Sequence, residues 1–344
     1  NPAARTYQAG WLAEQAVEKA RQQIAKLINA GVREITFTSG ATEANNLAIL
    51  GAAKANPAKK HLITSAIEHK AVLDVCRYLE QEEGYAVTYL QPNELGQITA
   101  QQVKEALQED TLLVALMLVN NEVGSLNPLA EISPLVKANG SLLHLDAAQA
   151  VGKIAVDVAA LGASSLALSA HKFYGPKGAG ALYIAGQAAR QIKPIMHGGG
   201  QEKGLRPGTL ATHQLAGMGL AAEIAGQRLA EDAAHIQACK ETFLAQLSSK
   251  NFTQTAAGGL PHIINLNFHL IEAETLIMAL PQLAVSTGSA CSAASLDPSY
   301  VLTALGLTRQ QALSSLRFSF GRYLTLAEAK QAGQAVNTLL NKLI

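Results

Sequence analysis

Lys172 stands in Ser169-Ala-His-Lys-Phe-Tyr-Gly-Pro-Lys-Gly178, directly after the apolar run Ser165-Leu-Ala-Leu-Ser169. The run reads as a buried strand that stops at His171-Lys172, because Gly175-Pro176 breaks any continuation. An amine at the carboxyl end of a sheet strand sits where open α/β sheets bind ligands. Asp146, in His144-Leu-Asp-Ala-Ala-Gln149, closes another apolar strand. A carboxylate there can hold a ring nitrogen protonated, or simply cap the next helix. Gln149, about one turn later, faces the same cavity. Ser39-Gly-Ala-Thr42 joins a strand to a helix. Its glycine, free amides and hydroxyl form an anion cradle or an ordinary helix start. It is neither a P-loop nor a dinucleotide fingerprint. His69 lies between a strand and a helix. An imidazole there can stack on a flat ring and move protons near neutral pH, or only satisfy the helix end.

Three further features come later in the chain. Cys291 sits in Ser286-Thr-Gly-Ser-Ala-Cys-Ser-Ala-Ala-Ser295, among small neighbours. Such a segment has little to bury, so its thiol is either a reactive group on a mobile arm or a small buried hydrophobe. Arg317, on the polar face of the alternating stretch Ser315-Leu-Arg-Phe-Ser-Phe320, suits bidentate capture of a carboxylate or a surface ion pair. His197-Gly-Gly-Gly200 has the form of an esterase oxyanion hole, but no G-x-S-x-G elbow accompanies it. The glycines are read instead as shaping a loop toward Arg206-Pro-Gly-Thr209.

These groups need a scaffold. Apolar or alternating runs predict strands over 34–38, 61–65, 86–90, 112–119, 141–145, 165–169 and 180–184. Helical spacing predicts helices over 11–30, from about 43 through 51, and over 70–83, 99–109 and 129–138. Strands alternating with helices imply a mostly parallel sheet covered on both faces. The polar residues then cluster on one rim of that sheet. A long Ala- and Leu-rich helix over 215–249 reads as a spacer. Strands at 262–268 and 314–320 and helices at 273–280, 299–305 and 327–343 make a smaller α+β unit. The expected division is a large domain over 1–226 and a small one over 227–344.

The 344 residues are 49% hydrophobic and 15% charged, enough for two cores. A net charge of +1 implies no general attraction to nucleic acid or anionic membranes. The longest apolar run, 112–119, is far short of the roughly 20 residues a membrane helix needs. Cys76, Cys239 and Cys291 form no C-x-x-C pair and no metal spacing. That usage fits a reducing, cytoplasmic setting without a metal site. The chain opens at Asn1-Pro2 without Met, so natural residues are expected upstream.

The ordered set of phrases resembles the NifS-like cysteine desulfurases, pyridoxal-phosphate enzymes of the class V aminotransferase family. The matching phrases are Phe37-Thr-Ser-Gly-Ala-Thr-Glu43, Ile67-Glu-His-Lys-Ala-Val-Leu73, Val119-Asn-Asn-Glu-Val-Gly124, His144-Leu-Asp-Ala-Ala-Gln149 and Ser169 through Gly178. His197-Gly-Gly-Gly-Gln-Glu202, Arg206-Pro-Gly-Thr209, Ser286-Thr-Gly-Ser-Ala-Cys-Ser292 and Ser315-Leu-Arg-Phe-Ser319 complete it. The resemblance implies a fold-type I α/β architecture: a large domain with a mostly parallel central sheet, and a smaller α+β C-terminal domain. It implies that Lys172 tethers pyridoxal 5′-phosphate covalently, while Asp146 pairs with the ring nitrogen and Gln149 with the ring hydroxyl. His69 would stack on the ring and shuttle protons. Ala41, Thr42, Ser169 and His171 would hold the phosphate, and Thr209 that of a neighbouring subunit, which implies a homodimer. Asn120 and Arg317 would hold the carboxylate of L-cysteine, and Cys291 would take its sulfur as a persulfide.

The Cys291 phrase looks like the branch with a longer nucleophile loop, here about Ala290 to Pro298. An iron–sulfur scaffold or another sulfur-acceptor protein is the implied partner. The chain departs from the family in lacking a Tyr-Leu-Asp-x-x-Ala-Thr-Thr opening. It also carries Tyr7 where a histidine is usual and has a short C-terminal tail, which bears on partner docking. Two other functions keep the same fold: a selenocysteine or cysteine/cystine lyase, and a non-catalytic sulfur carrier or regulatory homologue.

Overall fold

The computed structural model describes residues 1–4, 6–269, 271–288 and 297–343. The chain divides into two compact units. The first comprises Asn1–Leu90, Ile98–Leu118 and Asn127–Leu229; the second comprises Gln91–Gln97, Val119–Leu126 and Ala230–Ile344. Two short stretches, Gln91–Gln97 and Val119–Leu126, therefore cluster with residues far along the chain, which a single cut in sequence does not anticipate.

The first unit is built on seven strands: β1 (Ile35–Thr38), β2 (His61–Ser65), β3 (Ala86–Leu90), β4 (Thr111–Met117), β5 (Leu142–Asp146), β6 (Ser165–Ser169) and β7 (Gly180–Ile184). Helices α1 (Gln8–Leu27), α2 (Ala41–Ala55), α3 (Lys70–Glu82), α4 (Ala100–Ala106) and α5 (Leu129–Asn139) alternate with them, and α6 (Thr212–Leu244) follows, its residues through Leu229 in the first unit and the rest in the second. The spatial order is β1-β7-β6-β5-β4-β2-β3. Strands β2 to β6 run parallel; β7 is antiparallel to both β6 and β1. Every residue of β4, β5 and β6 is buried. That explains why they read as continuous apolar runs rather than alternating ones. The edge strand β3 is largely exposed or half-buried.

The reversal of β7 brings its first residue to the rim formed by the carboxyl ends of β1 and β6. Gly180 pairs with Thr38 on one side and Ser169 on the other. A Cβ there would stand 2.5 Å from Cα of Gly40 and 2.7 Å from the carbonyl oxygen of Leu168. Only glycine lets the turn after β1 pack this close.

The second unit holds a three-stranded antiparallel sheet, in the order β10 (Ser315–Ser319), β9 (Ile263–Asn267), β8 (Thr253–Thr255). The short β8 is absent from the sequence reading, since three half-exposed residues carry no periodicity. Helices α7 (Ala273–Ala279), α8 (Tyr300–Ala304), α9 (Arg309–Leu313) and α10 (Leu326–Leu343) complete the unit. Its core gathers Phe243, Phe268, Phe318 and Phe320. Phe243 meets Phe318 and Phe320 at ring-centroid distances of 4.8 and 5.6 Å. A buried ion pair joins Arg322 to Asp232. Among the described residues no helix is long and apolar enough to cross a membrane.

Candidate active site

The first unit collects most of the candidate residues at the carboxyl ends of its strands. Asp146 is the last residue of β5 and is buried. Its Oδ1 accepts the Ala148 amide at 2.9 Å, and its Oδ2 accepts Nδ2 of Asn45 at 2.8 Å. Gln149 follows in the turn after the strand, half-buried. The neighbouring strand β6 ends at Ser169 and passes into a short 3-10 turn, Ala170–Phe173, which contains His171 and Lys172. Tyr174 ends that turn in the left-handed region at φ 69°. Lys172 is exposed on this turn. Ser169 Oγ and His171 Nδ1 lie 2.9 Å apart. Burial, and then the charges of Lys172 and Lys177, lower the pKa of His171, so its ring is held neutral.

The turn after β1 reaches the same rim. Helix α2 begins at Ala41 behind Gly40, and no side chain caps it. The amides of its first turn remain directed outward, with the helix dipole behind them. Glu43 reaches back to the Ser39 amide at 2.8 Å and pairs with Arg206 Nε at 2.6 Å. Burial pushes the Glu43 carboxyl up, but Arg206 and Ser39 outweigh it, and the net pKa is lowered. This pair ties the Arg206-Pro-Gly-Thr209 phrase to the start of α2. Thr209 lines a cavity of about 530 Å³ with Arg21, Thr36, Glu202 and Lys203.

His69 is the N-cap of α3. Its Nδ1 accepts the Ala71 amide at 3.1 Å. In the neutral ring the proton therefore sits on Nε2, which makes Nε2 a donor. Its neighbour Glu68 is fully buried and accepts the Met117 amide at 2.8 Å. Burial drives the Glu68 carboxyl well above the usual range; the Met117 amide opposes this and the charge of Asp146 adds to it.

The second unit holds the other candidates. Asn120 is buried, and its Oδ1 accepts the amides of Glu122 and Val123 at 2.8 and 3.0 Å. Arg317 donates from Nη1 to the Asn121 carbonyl at 3.0 Å, and its buried Nε has no hydrogen-bond partner among the described residues. Burial pulls the Arg317 pKa down while Glu122 raises it. The expected nucleophile Cys291, and most of its loop over Ala290 to Pro298, lie outside the described residues.

Sequence reasoning missed Asn45, and gave His144 and Glu68 no role. Asn45 had one usable signal: it is a polar residue on the Ala- and Leu-rich face of a helix, and it is completely buried. The His197-Gly-Gly-Gly200 phrase is no oxyanion hole here. His197 Nε2 lies 3.2 Å from Nζ of Lys54. Glu202, at the end of the phrase, accepts both Arg21 nitrogens and the Phe37 amide, each at 2.8 Å. The glycines deliver an anchoring carboxylate to β1.

A model of the aminotransferase class-V family matches residues 1–331. The chain is 52% identical to a cysteine desulfurase IscS of Pseudomonas entomophila, over its whole length and 86% of that protein. It is 50% identical to the cysteine desulfurase IscS of Pseudomonas aeruginosa, with the same coverage. Among solved structures, a NifS-like protein superposes with a TM-score of 0.92 at 33% identity, covering 99% of this chain and 92% of the other. A structure of SspA in complex with cysteine gives 0.83 at 38% identity, covering 94% and 91%. By sequence and by fold, the chain therefore belongs to the class V aminotransferase family, among its NifS-like cysteine desulfurases.

Proposed function

We propose that this protein is a pyridoxal 5′-phosphate-dependent cysteine desulfurase that converts L-cysteine to L-alanine and takes the sulfur as a persulfide on Cys291. One observation carries the reading. Lys172 follows the end of β6, Asp146 closes the adjacent β5, and the uncapped start of α2 meets the same rim. The donor set fits the cofactor: an amine for the aldehyde, a buried carboxylate for the ring nitrogen, and helix-start amides for the phosphate. When bound, the cofactor supplies an electron sink that weakens bonds around the substrate α-carbon.

The chain's own residues do the rest. Lys172 anchors the cofactor and then removes the substrate α-proton. Asp146 keeps a proton on the ring nitrogen, and Gln149 orients the ring hydroxyl. Ala41, Thr42, Ser169 and His171 bind the phosphate. Thr209 reaches the phosphate site of a second copy, in a homodimer. Asn120 and Arg317 hold the substrate carboxylate; Arg317 Nε, which has no partner among the described residues, is a donor available to it. His69 would be the residue that offers a proton, from its Nε2. Cys291, as thiolate, attacks the substrate sulfur. A sulfur–sulfur bond forms, the carbon–sulfur bond breaks, and its electron pair stays with the carbon skeleton, which is protonated and leaves as alanine. The balance is cysteine plus a thiol giving alanine plus a persulfide. An iron–sulfur scaffold or another acceptor protein in the cytoplasm then receives the sulfur.

The test uses cysteine labelled with radioactive sulfur. Label is expected on the peptide carrying Cys291, absent in Cys291→Ala, with alanine production falling in parallel. Full alanine production by Cys291→Ala would instead assign a lyase. Lys172→Ala is expected to be colourless where the wild type is yellow. A wild type that stays colourless after soaking with cofactor would mark a non-catalytic homologue.

A further inference from the structure

Asp146 is held by a chain of side chains that begins outside the candidate cofactor site. Strand register sets His144 opposite Ser165. Alternation along β5 puts His144 and Asp146 on one face of the sheet. Helix α2 packs against β5 and β6, and Asn45 reaches from it to both residues. Four groups are linked in order. Ser165 Oγ lies 2.8 Å from His144 Nδ1, His144 Nε2 lies 2.9 Å from Asn45 Oδ1, and Asn45 Nδ2 lies 2.8 Å from Asp146 Oδ2. His144, Asn45 and Ser165 are all essentially inaccessible to solvent.

The donor directions follow from chemistry. An ionised carboxylate only accepts, so Asn45 turns its NH₂ group to Asp146. Its carbonyl oxygen then faces His144 and only accepts, so His144 carries its proton on Nε2. That leaves Nδ1 unprotonated, and it accepts the Ser165 hydroxyl. Every link donates toward Asp146. Burial holds the His144 pKa down to about 3, against a smaller upward pull from the Ser165 backbone. The ring is therefore a neutral polar link and not a second charge beside the carboxylate.

We propose that Ser165, His144 and Asn45 are positioning residues, forming a one-way donor chain that keeps Asp146 ionised and aimed at the cofactor ring nitrogen. The proposal rests on the pairing of Asp146 with the ring nitrogen proposed above. Reversing any link turns an acceptor toward an acceptor, so the chain holds in one sense only. A protonated Asp146 would meet the same Asn45 NH₂ group with a poorer acceptor. The chain thus favours the anion without placing a cation near it.

The test reads the ring nitrogen itself, by the ¹⁵N resonance of ring-labelled pyridoxal phosphate bound to the protein at neutral pH. The wild type is expected to show a protonated ring. Asn45→Leu and His144→Phe are expected to move the resonance toward the unprotonated position. They should also weaken cofactor binding about tenfold, the size usual for losing a group that orients a ligand-binding side chain. His144→Gln keeps a donor toward Asn45 and is expected to restore the wild-type resonance; a lost core contact would not distinguish it from His144→Phe. Should the larger substitutions fail to fold, Ser165→Ala decides: a smaller shift in the same direction supports the chain, and none overturns it. Asp146→Ala separates the two levels. If its resonance moves while Asn45→Leu and His144→Phe stay protonated, the chain alone is wrong. If it stays put, the placement of Asp146 falls and the chain with it.

Discussion

Ser299 donates a 2.5 Å hydrogen bond to Glu122 Oε2, between residues 177 positions apart. The same carboxylate approaches the other end of the intervening segment, where a Cβ on Gly288 would lie 3.1 Å from it. Glu122 is itself buried. That carboxylate therefore bonds Ser299, shortly after the Cys291 segment, and lies close to Gly288, before it, and it does so from the stretch that supplies Asn120.

Breaking that fastening has a measurable cost. Glu122→Ala leaves the Ser299 hydroxyl without its charged acceptor and is expected to cost about 1.5–3 kcal/mol in urea unfolding. It is also expected to slow persulfide labelling of Cys291 more than Ser299→Ala does, because Ser299→Ala leaves the carboxylate against Gly288. Equal labelling rates in the two variants would contradict this.

Gly180→Ala tests the crowded rim. The new methyl meets backbone of Gly40 and Leu168, which has no room to give. The expected cost is about 1–3 kcal/mol of stability. Because Gly40 leads directly into the α2 amides, cofactor affinity measured by equilibrium dialysis should fall as well. Unchanged affinity would mean that the phosphate sits elsewhere.

His69 combines a structural bond with a chemical one, and two substitutions separate them. His69→Ala removes the cap of α3, worth about 0.5–2 kcal/mol. His69→Asn keeps a good cap but loses the Nε2 donor. Near-wild-type thermal stability with lost turnover is expected for Asn, and loss of both for Ala. Full turnover in His69→Asn would remove the imidazole from the mechanism.

Buried His144 makes stability depend on pH. It titrates at about 3 in the folded chain, against an ordinary value of 6.5. The unfolded chain binds the extra proton in between. The stability from the neutral ring is therefore complete above 6.5 and is lost as pH falls toward 3, with a slope approaching about 1.4 kcal/mol per pH unit. Glu68 tilts the other way. Its raised carboxyl pKa favours the fold at low pH, and that contribution is lost as pH rises above the ordinary value of 4.5. The clean quantity is the gap between wild type and His144→Gln in urea unfolding. It should shrink steadily from pH 7 down to pH 4.5. A gap independent of pH would show that His144 does not titrate as buried.

The sequence alone located most elements, because periodicity is a local property. The predicted strands at 61–65, 86–90, 165–169 and 180–184 coincide with β2, β3, β6 and β7. Lys172 and Asp146 were legible because each ends an apolar run, and a polar residue there has to sit on the rim. The ordered phrases identified the family for the same reason: each is a short contiguous stretch.

Tertiary structure decided what depends on pairing. That β7 runs antiparallel is a matter of register, and it brings Gly180 against Gly40. Asn45 meets Asp146 across 101 positions, and His144 meets Ser165 only because β5 and β6 pair at that offset. Asn120 clusters with the second unit although the strand before it belongs to the first. Short polar contacts between distant residues leave no trace in local spacing. Their energy comes from burial that only the closed fold supplies.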